Sequence, residues 1–332
     1  MIAPMLHRTL SARIERWPVR GAFTISRGAK RDVEVVIAEL AEGGLVGRGE
    51  ATAIYYHGES ASGILAVLEG VREQVEAGLD SIALQTLLPR GAARNALDCA
   101  LWDLEAKRSG IPVWRLAGLS APQPLETAFT ISLGEPARME ADARAVANLP
   151  LLKLKLAGEG DIARVAAVRK GAPAARLIVD ANEAWTGRDV AAEAGALVPF
   201  GVELIEQPVK AGQDHLLDNV VSPIPLCADE SCQDRADLER CVGRYAAINI
   251  KLDKAGGLTE ALALAAEAPA AGLEIMVGCM LATSLGIAPA ALVASQARWI
   301  DLDGALLLAE DRKHAMTATK GLLAAAAPEL WG

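Results

Sequence analysis

Three acidic residues, Asp180, Glu206 and Asp229, each close a short apolar run: Leu177-Ile-Val-Asp180, Val202-Glu-Leu-Ile-Glu206 and Pro225-Leu-Cys-Ala-Asp229. Hard oxygen ligands converging from adjacent strands suit Mg²⁺, which takes carboxylates and keeps positions open for water or substrate. No His or Cys joins them, which disfavours zinc. Any one acid could instead be a helix N-cap or a salt-bridge partner. Three in the same register, buried together, demand a cation.

Lysines accompany the acids. Lys153 and Lys155 stand two apart in Leu151-Leu-Lys-Leu-Lys-Leu156, so both point to one face while Leu152, Leu154 and Leu156 point to the other. With the leucines against outer helices, both lysines lie inside, where a neighbouring cation lowers a lysine pKa towards that of a general base. The alternative is a pair of exposed lysines on an edge strand, against which the leucine flanks argue. Lys155, nearer the strand end, is assigned proton transfer, and Lys153 the holding of developing negative charge. Lys251 closes a run on the far side of the acids; its alternative is a structural pairing with Asp253. Two amines flanking one metal-held substrate could remove a proton from one face and return it to the other, as racemisation or epimerisation requires. A proton beside a carboxylate is very weakly acidic, and charge stabilisation realised mainly in the transition state makes its removal feasible.

These residues need elements that deliver them to one place. From Gln123 onward a unit repeats: short apolar strands ending at Lys155, Asp180, Glu206, Asp229, Lys251, Cys279 and Asp301 alternate with Ala-rich helical stretches. The spacing of about 22 to 28 residues is that of one βα unit of a parallel barrel, whose strand C-termini face the active-site mouth. A strand over 126–132 brings the count to eight. Before the barrel, a polar–apolar alternation over 31–40, a Gly43-Gly44 turn and a second short strand form a hairpin, and apolar residues from Ala96 to Ala106 recur at helical spacing until Gly110-Ile-Pro112. The expected fold is α/β: a modified TIM barrel, (β/α)7β, at 122–308, with an N-terminal α+β capping domain at 1–121. A tail at 309–332, with Ala-rich helix potential, is expected to pack back on the cap.

Composition agrees. A chain of 332 residues accommodates one barrel and a smaller domain. The net charge of −9 argues against a nucleic-acid partner, which calls for a basic surface. Cys99, Cys227, Cys232, Cys241 and Cys279 lack CxxC spacing and read as buried small hydrophobes. No signal peptide or membrane span is visible, so a cytoplasmic protein is expected. Assembly into a homo-oligomer stays open.

The ordered set Leu152-Lys-Leu-Lys-Leu156, Val179-Asp-Ala-Asn182, Ile205-Glu-Gln-Pro208, Ala228-Asp-Glu-Ser231 and Asn249-Ile-Lys-Leu-Asp-Lys-Ala-Gly-Gly-Leu258, with Leu97-Asp-Cys-Ala-Leu-Trp-Asp103 ahead of it, resembles the enolase superfamily, muconate-lactonizing-enzyme subgroup. The resemblance implies Lys153, Lys155 and Lys251 as the lysine set and Asp180, Glu206 and Asp229 as Mg²⁺ ligands. Cycloisomerisation, o-succinylbenzoate synthesis and N-acylamino acid racemisation share that set. Asp301 and Asp303, two apart at the last strand end, could grip a substrate ammonium, or could cap the following helix. This Asp-x-Asp is similar to that of dipeptide epimerases acting on L-Ala-D/L-Glu and related dipeptides, including cell-wall peptides. A dipeptide substrate is therefore expected, with Thr130, Cys279 and Met280 among its contacts. Arg27 is a candidate partner for an acidic side chain. Tyr56 stands where Glu-preferring members carry Arg, which leaves the side-chain preference open.

Overall fold

The computed structural model describes residues 7–25 and 28–332. The cap opens with three antiparallel strands, β1 (Thr9–Ile25), β2 (Gly28–Glu42) and β3 (Leu45–Thr52), in the order β1-β2-β3. Polar residues, Pro18 and Gly21 disguise β1 in the sequence, and its register with β2 shifts between Pro18 and Phe23. Sequence reading found the β2–β3 hairpin but not β1, which borrows its hydrogen bonds from β2 rather than from its own apolar pattern.

The helix Ala92–Ser109 crosses this sheet and ends on Gly110 in the left-handed conformation, φ 69°. It comes so close to β3 that a Cβ on Gly47 or Gly49 would overlap the carbonyls of Ala100 and Ala96. Leu97, Leu101 and Leu104 fill the cap's core against Val36, Ala38 and Leu40. Burying one such leucine stabilises the fold by about 1.5–3 kcal/mol.

Eight parallel strands follow in sequential order: Phe129–Ile131, Leu151–Lys155, Arg176–Asp180, Val202–Glu206, Leu226–Ala228, Ala247–Ile250, Glu274–Gly278 and Trp299–Asp301. They make a nearly closed barrel, the last and first strands being bridged where Ala128 N donates to Ile300 O at 2.8 Å. Alternation sorts the side chains. Leu152, Leu154, Val179 and Ile205 face outward into the main core with the helices. One residue from each strand or its entry, Ala128, Leu151, Ile178, Leu204, Cys227, Ala247, Met276 and Trp299, packs inward as an apolar plug. The charged residues sit above this plug.

Two expectations are corrected. The strand expected over 126–132 divides: Leu125–Glu126 leaves the barrel and pairs antiparallel with Leu322–Leu323. The tail forms no helix; Ala318–Thr319 and Leu322–Leu323 make a hairpin instead, because pairing with Leu125–Glu126 outweighs the alanine propensity. The tail's last residues reach the cap, where Trp331 Nε1 donates to Cys99 O at 3.1 Å and Gly332 N to Asp103 at 2.9 Å.

The cap is fastened over the barrel mouth by buried acids. Glu50 accepts from Thr283 N at 2.7 Å and from Arg312 Nη2 at 2.9 Å. Asp253 accepts from Thr52 N at 3.0 Å and from Asn95 Nδ2 at 2.9 Å. Among the described residues no helix is long and apolar enough to cross a membrane. The five cysteines are free thiols, all buried except the half-buried Cys279.

Candidate active site

Register brings the acids together. Lys155, Asp180 and Glu206 are successive Cα partners across three strands, and Asp229 lies just past the end of the next. One carboxylate oxygen from each of Asp180, Glu206 and Asp229 lies within 4.8 Å of the others, and all three residues are buried. Opposite oxygens around a dication with bonds of about 2.0–2.1 Å are separated by roughly 4 Å, so the cluster is close to the size Mg²⁺ needs. Glu206 Oε2 and Asn182 Oδ1 are buried acceptors without hydrogen-bond partners among the described residues. Lys153 Nζ is only 2.5 Å from that Glu206 oxygen, but the approach is too sharply angled for a hydrogen bond. Buried, hard, under-satisfied oxygens without His or Cys are a donor set that could hold Mg²⁺.

Ammonium groups compensate the triad from several sides. Lys155 Nζ donates to Asp180 Oδ2 at 2.7 Å. Lys251 Nζ donates to Asp229 Oδ2 at 2.6 Å and stands 3.8 Å from Glu206 Oε1. Lys153, 1% exposed, donates to Asp301 Oδ2 at 2.7 Å. The surrounding acids set the electrostatics of Lys153 and Lys251. Burial pulls Lys153 down, but Asp301, Glu206 and Asp180 outweigh it and hold the group well above its usual value. Lys251 is likewise penalised by burial and raised overall by Asp229 and Glu206. Burial opposes ionisation of Asp229, yet Lys251 and Lys254 keep it well below the usual carboxylate range. Glu206 is pushed up by burial and by Asp180. A cation engaging the acids would remove the lysines' counter-charge, restoring the condition under which a lysine becomes a base.

A cavity of about 240 Å³ opens over the triad, lined by Lys155, Lys251 and Asp229 from the barrel and by Lys30, Tyr55 and Tyr56 from the cap. Met280 also lines it. Tyr56 packs edge-on to Tyr55 and His57, and burial and Asp229 raise its phenol pKa. Asp301 and Asp303 are both buried. Asp301 binds Lys153, and Asp303, beyond the strand end, accepts from Thr130 N at 2.6 Å. Asp301 Oδ1 remains a buried acceptor without a partner among the described residues, and burial and Asp301 raise Asp303 to about 7. Cys279 Sγ donates to the Asp301 carbonyl at 3.3 Å, behind this pair. Arg27 lies outside the described residues.

Residues 7–118 match the mandelate racemase / muconate lactonizing enzyme N-terminal domain, and residues 137–326 match the enolase C-terminal domain-like family. The L-Ala-D/L-Glu epimerase of Escherichia coli (strain K12) is 45% identical over 318 residues, covering 95% of this chain and 99% of its own. The chain belongs to the mandelate racemase / muconate lactonizing enzyme branch of the enolase superfamily. An N-acetyl-D-glutamate racemase of Pseudoalteromonas is 49% identical over 245 residues, 74% of this chain and 78% of that one. An enolase family member from Agrobacterium tumefaciens with homology to dipeptide epimerases, with bound sodium and L-Ala-L-Glu, superposes with a TM-score of 0.96 at 48% identity, covering 98% and 100% of the two chains. A dipeptide epimerase from Enterococcus faecalis V583, complexed with Mg and L-Leu-L-Tyr, gives a TM-score of 0.89 at 32% identity, covering 97% and 98%. Within this branch the protein is an isomerase.

Several residues of this enolase-superfamily site escaped the sequence reading. Asn249 Nδ2 donates to Glu206 Oε1 at 2.6 Å, and Lys254 Nζ to Asp229 Oδ1 at 2.7 Å. Asn249 stands two residues before Lys251 and so shares its inward face, a signal available from strand alternation. Lys254 lies in the turn of helix Leu252–Ala255 that follows, where nothing in the spacing marks it. Gly278 leaves room for both, since a Cβ there would meet Asn249 Oδ1 at 2.7 Å and Lys251 Cε at 3.1 Å.

Proposed function

We propose that the protein is a magnesium-dependent dipeptide epimerase that inverts the α-carbon of the C-terminal residue of L-Ala-D/L-Xaa dipeptides, with L-Ala-D/L-Glu foremost. The reading is carried by two amines in one cavity, Lys155 and Lys251, bonded to different members of one carboxylate triad, Asp180 and Asp229.

Asp180, Glu206 and Asp229 would hold Mg²⁺, which supplies positive charge against the negative charge that grows on the substrate carboxylate as an enediolate forms. Lys153, fixed beneath the triad, adds a second cation on that side. Lys155 takes the α-proton at Nζ from one face, and Lys251 delivers a proton from Nζ to the other. The opposite stereoisomer exchanges the roles. Asp301 and Asp303 would receive the free N-terminal ammonium, which draws down the raised pKa of Asp303 and occupies the unpartnered Asp301 oxygen.

With Mg²⁺ in deuterium oxide, L-Ala-L-Glu should gain one deuterium at its C-terminal α-carbon and convert to L-Ala-D-Glu, whereas chelation should abolish the exchange. Absence of exchange with every unblocked dipeptide would falsify the reading. The Pseudoalteromonas relative favours a second one, racemisation of an N-acylated amino acid. N-acetylglutamate in the same assay decides between them, since a blocked amine brings no cation for the two aspartates.

A further inference from the structure

The cavity's roof contains a charge that the proton-transfer chemistry does not use. Lys30, near the start of β2, lines the same cavity as Lys155 and Lys251. Those two lysines hold carboxylates of the triad, whereas no carboxylate among the described residues lies within ion-pair distance of the Lys30 ammonium. Its ammonium stands over the Tyr55 ring, with Nζ 5.3 Å from the centroid. Lys30 is half-buried, and burial, unopposed by a carboxylate, lowers its pKa. An ammonium partly removed from water without an anion is costly, and a ligand that brings the anion recovers the cost.

We infer that Lys30 is a specificity-determining residue that receives the side-chain carboxylate of the residue being inverted, so that the roof of the cavity selects acidic dipeptides. The inference rests on the dipeptide reading above. Such a substrate has three charged or chargeable positions besides the reacting carbon. Its α-carboxylate belongs at the triad, where acidification of the α-proton is needed, and its amine belongs with Asp301 and Asp303. The side chain is what remains, and the cap is the part of the cavity left to meet it. Lys30 supplies there the one lysine of the lining without a carboxylate among the described residues.

The test compares L-Ala-L-Glu with its neutral isostere L-Ala-L-Gln in α-proton exchange, using the full chain with Mg²⁺. In Lys30→Met the ratio of kcat/KM for the acidic over the neutral substrate should fall about tenfold or more, as loss of a partly desolvated charge pair requires. Lys30→Arg should keep most of the ratio, and Lys30→Glu should reverse it. The wild-type ratio should also shrink as salt is raised from low to physiological levels. An unchanged ratio in Lys30→Met, or an equal fall for both substrates, overturns the role of Lys30 while leaving the epimerase reading intact. A wild-type protein that exchanges neither dipeptide overturns the epimerase reading itself.

Discussion

Lys254 grips Asp229 from behind: its Nζ lies 2.7 Å from Oδ1, while Oδ2 of the same carboxylate faces Lys251 at 2.6 Å. Three carbonyls, that of Asp229 itself at 2.5 Å and those of Cys232 and Asn249 at 2.9 Å each, fix the buried ammonium in place. One carboxylate oxygen is thereby anchored and the other presented to the cavity. Outer partners of metal ligands are typically worth 10- to 100-fold in metal affinity. Lys254→Met should therefore weaken Mg²⁺ binding by about 10- to 100-fold by titration calorimetry. Undiminished affinity would mean that Asp229 keeps its orientation unaided.

The two flanking lysines should separate in isotope experiments. Lys155→Ala and Lys251→Ala should each lower inversion by about 10²- to 10⁴-fold, the usual worth of a positioned acid or base. Each variant should still exchange the α-proton of one stereoisomer, and of opposite ones. Loss of exchange for the same isomer in both would contradict a two-sided site.

Gly278→Ala tests how tightly Lys251 is placed. The new methyl would press on the Asn249 amide and on Lys251 Cε. Misplacement on this scale costs on the order of 10²-fold in rate. We expect that loss on the Lys251 face with the melting temperature little changed; equal loss on both faces would instead indicate a general disturbance of the barrel.

Asp253 makes a pH prediction at the junction between cap and barrel. Burial raises its pKa to about 7, well above the usual carboxylate range, despite hydrogen bonds from Thr52 and Asn95. The folded protein thus binds this proton more tightly than the unfolded chain does. The stabilisation is fully present below about pH 4 and is lost as pH rises towards 7, at up to roughly 1.4 kcal/mol per pH unit in that window. Asp253→Asn keeps the acceptor oxygen and should flatten this part of the stability profile, measured by denaturant unfolding between pH 4 and 7. An unaltered slope would assign the effect to Asp303 and Asp98, which burial raises to about 7 and about 6.

Strand alternation made the inner site readable in advance. Lys155, Asp180, Glu206 and Asp229 were legible because each closes an apolar run, which a parallel barrel converts into a place at the mouth, and Lys153 because it stands two before Lys155 on the same face. Lys254 and Lys30 were not, since one sits on a turn and the other on a cap strand whose approach to the barrel no local pattern encodes. Asp301 was found, but not its partner: pairing with Lys153 joins residues 148 positions apart, from the last strand to the second, past the first strand that lies between them. The unhelical tail was missed for a similar reason, because Leu322–Leu323 is paired by Leu125–Glu126 from the far end of the domain.

The eight inward side chains below the charged layer, from Ala128 round to Trp299, leave the barrel stoppered at its base. Reactant and product must therefore share a single doorway on the cap side. Because a reversible epimerase hands back a molecule almost identical to the one it took in, opening that doorway, rather than choosing a direction of flow, would govern how often the two pass each other.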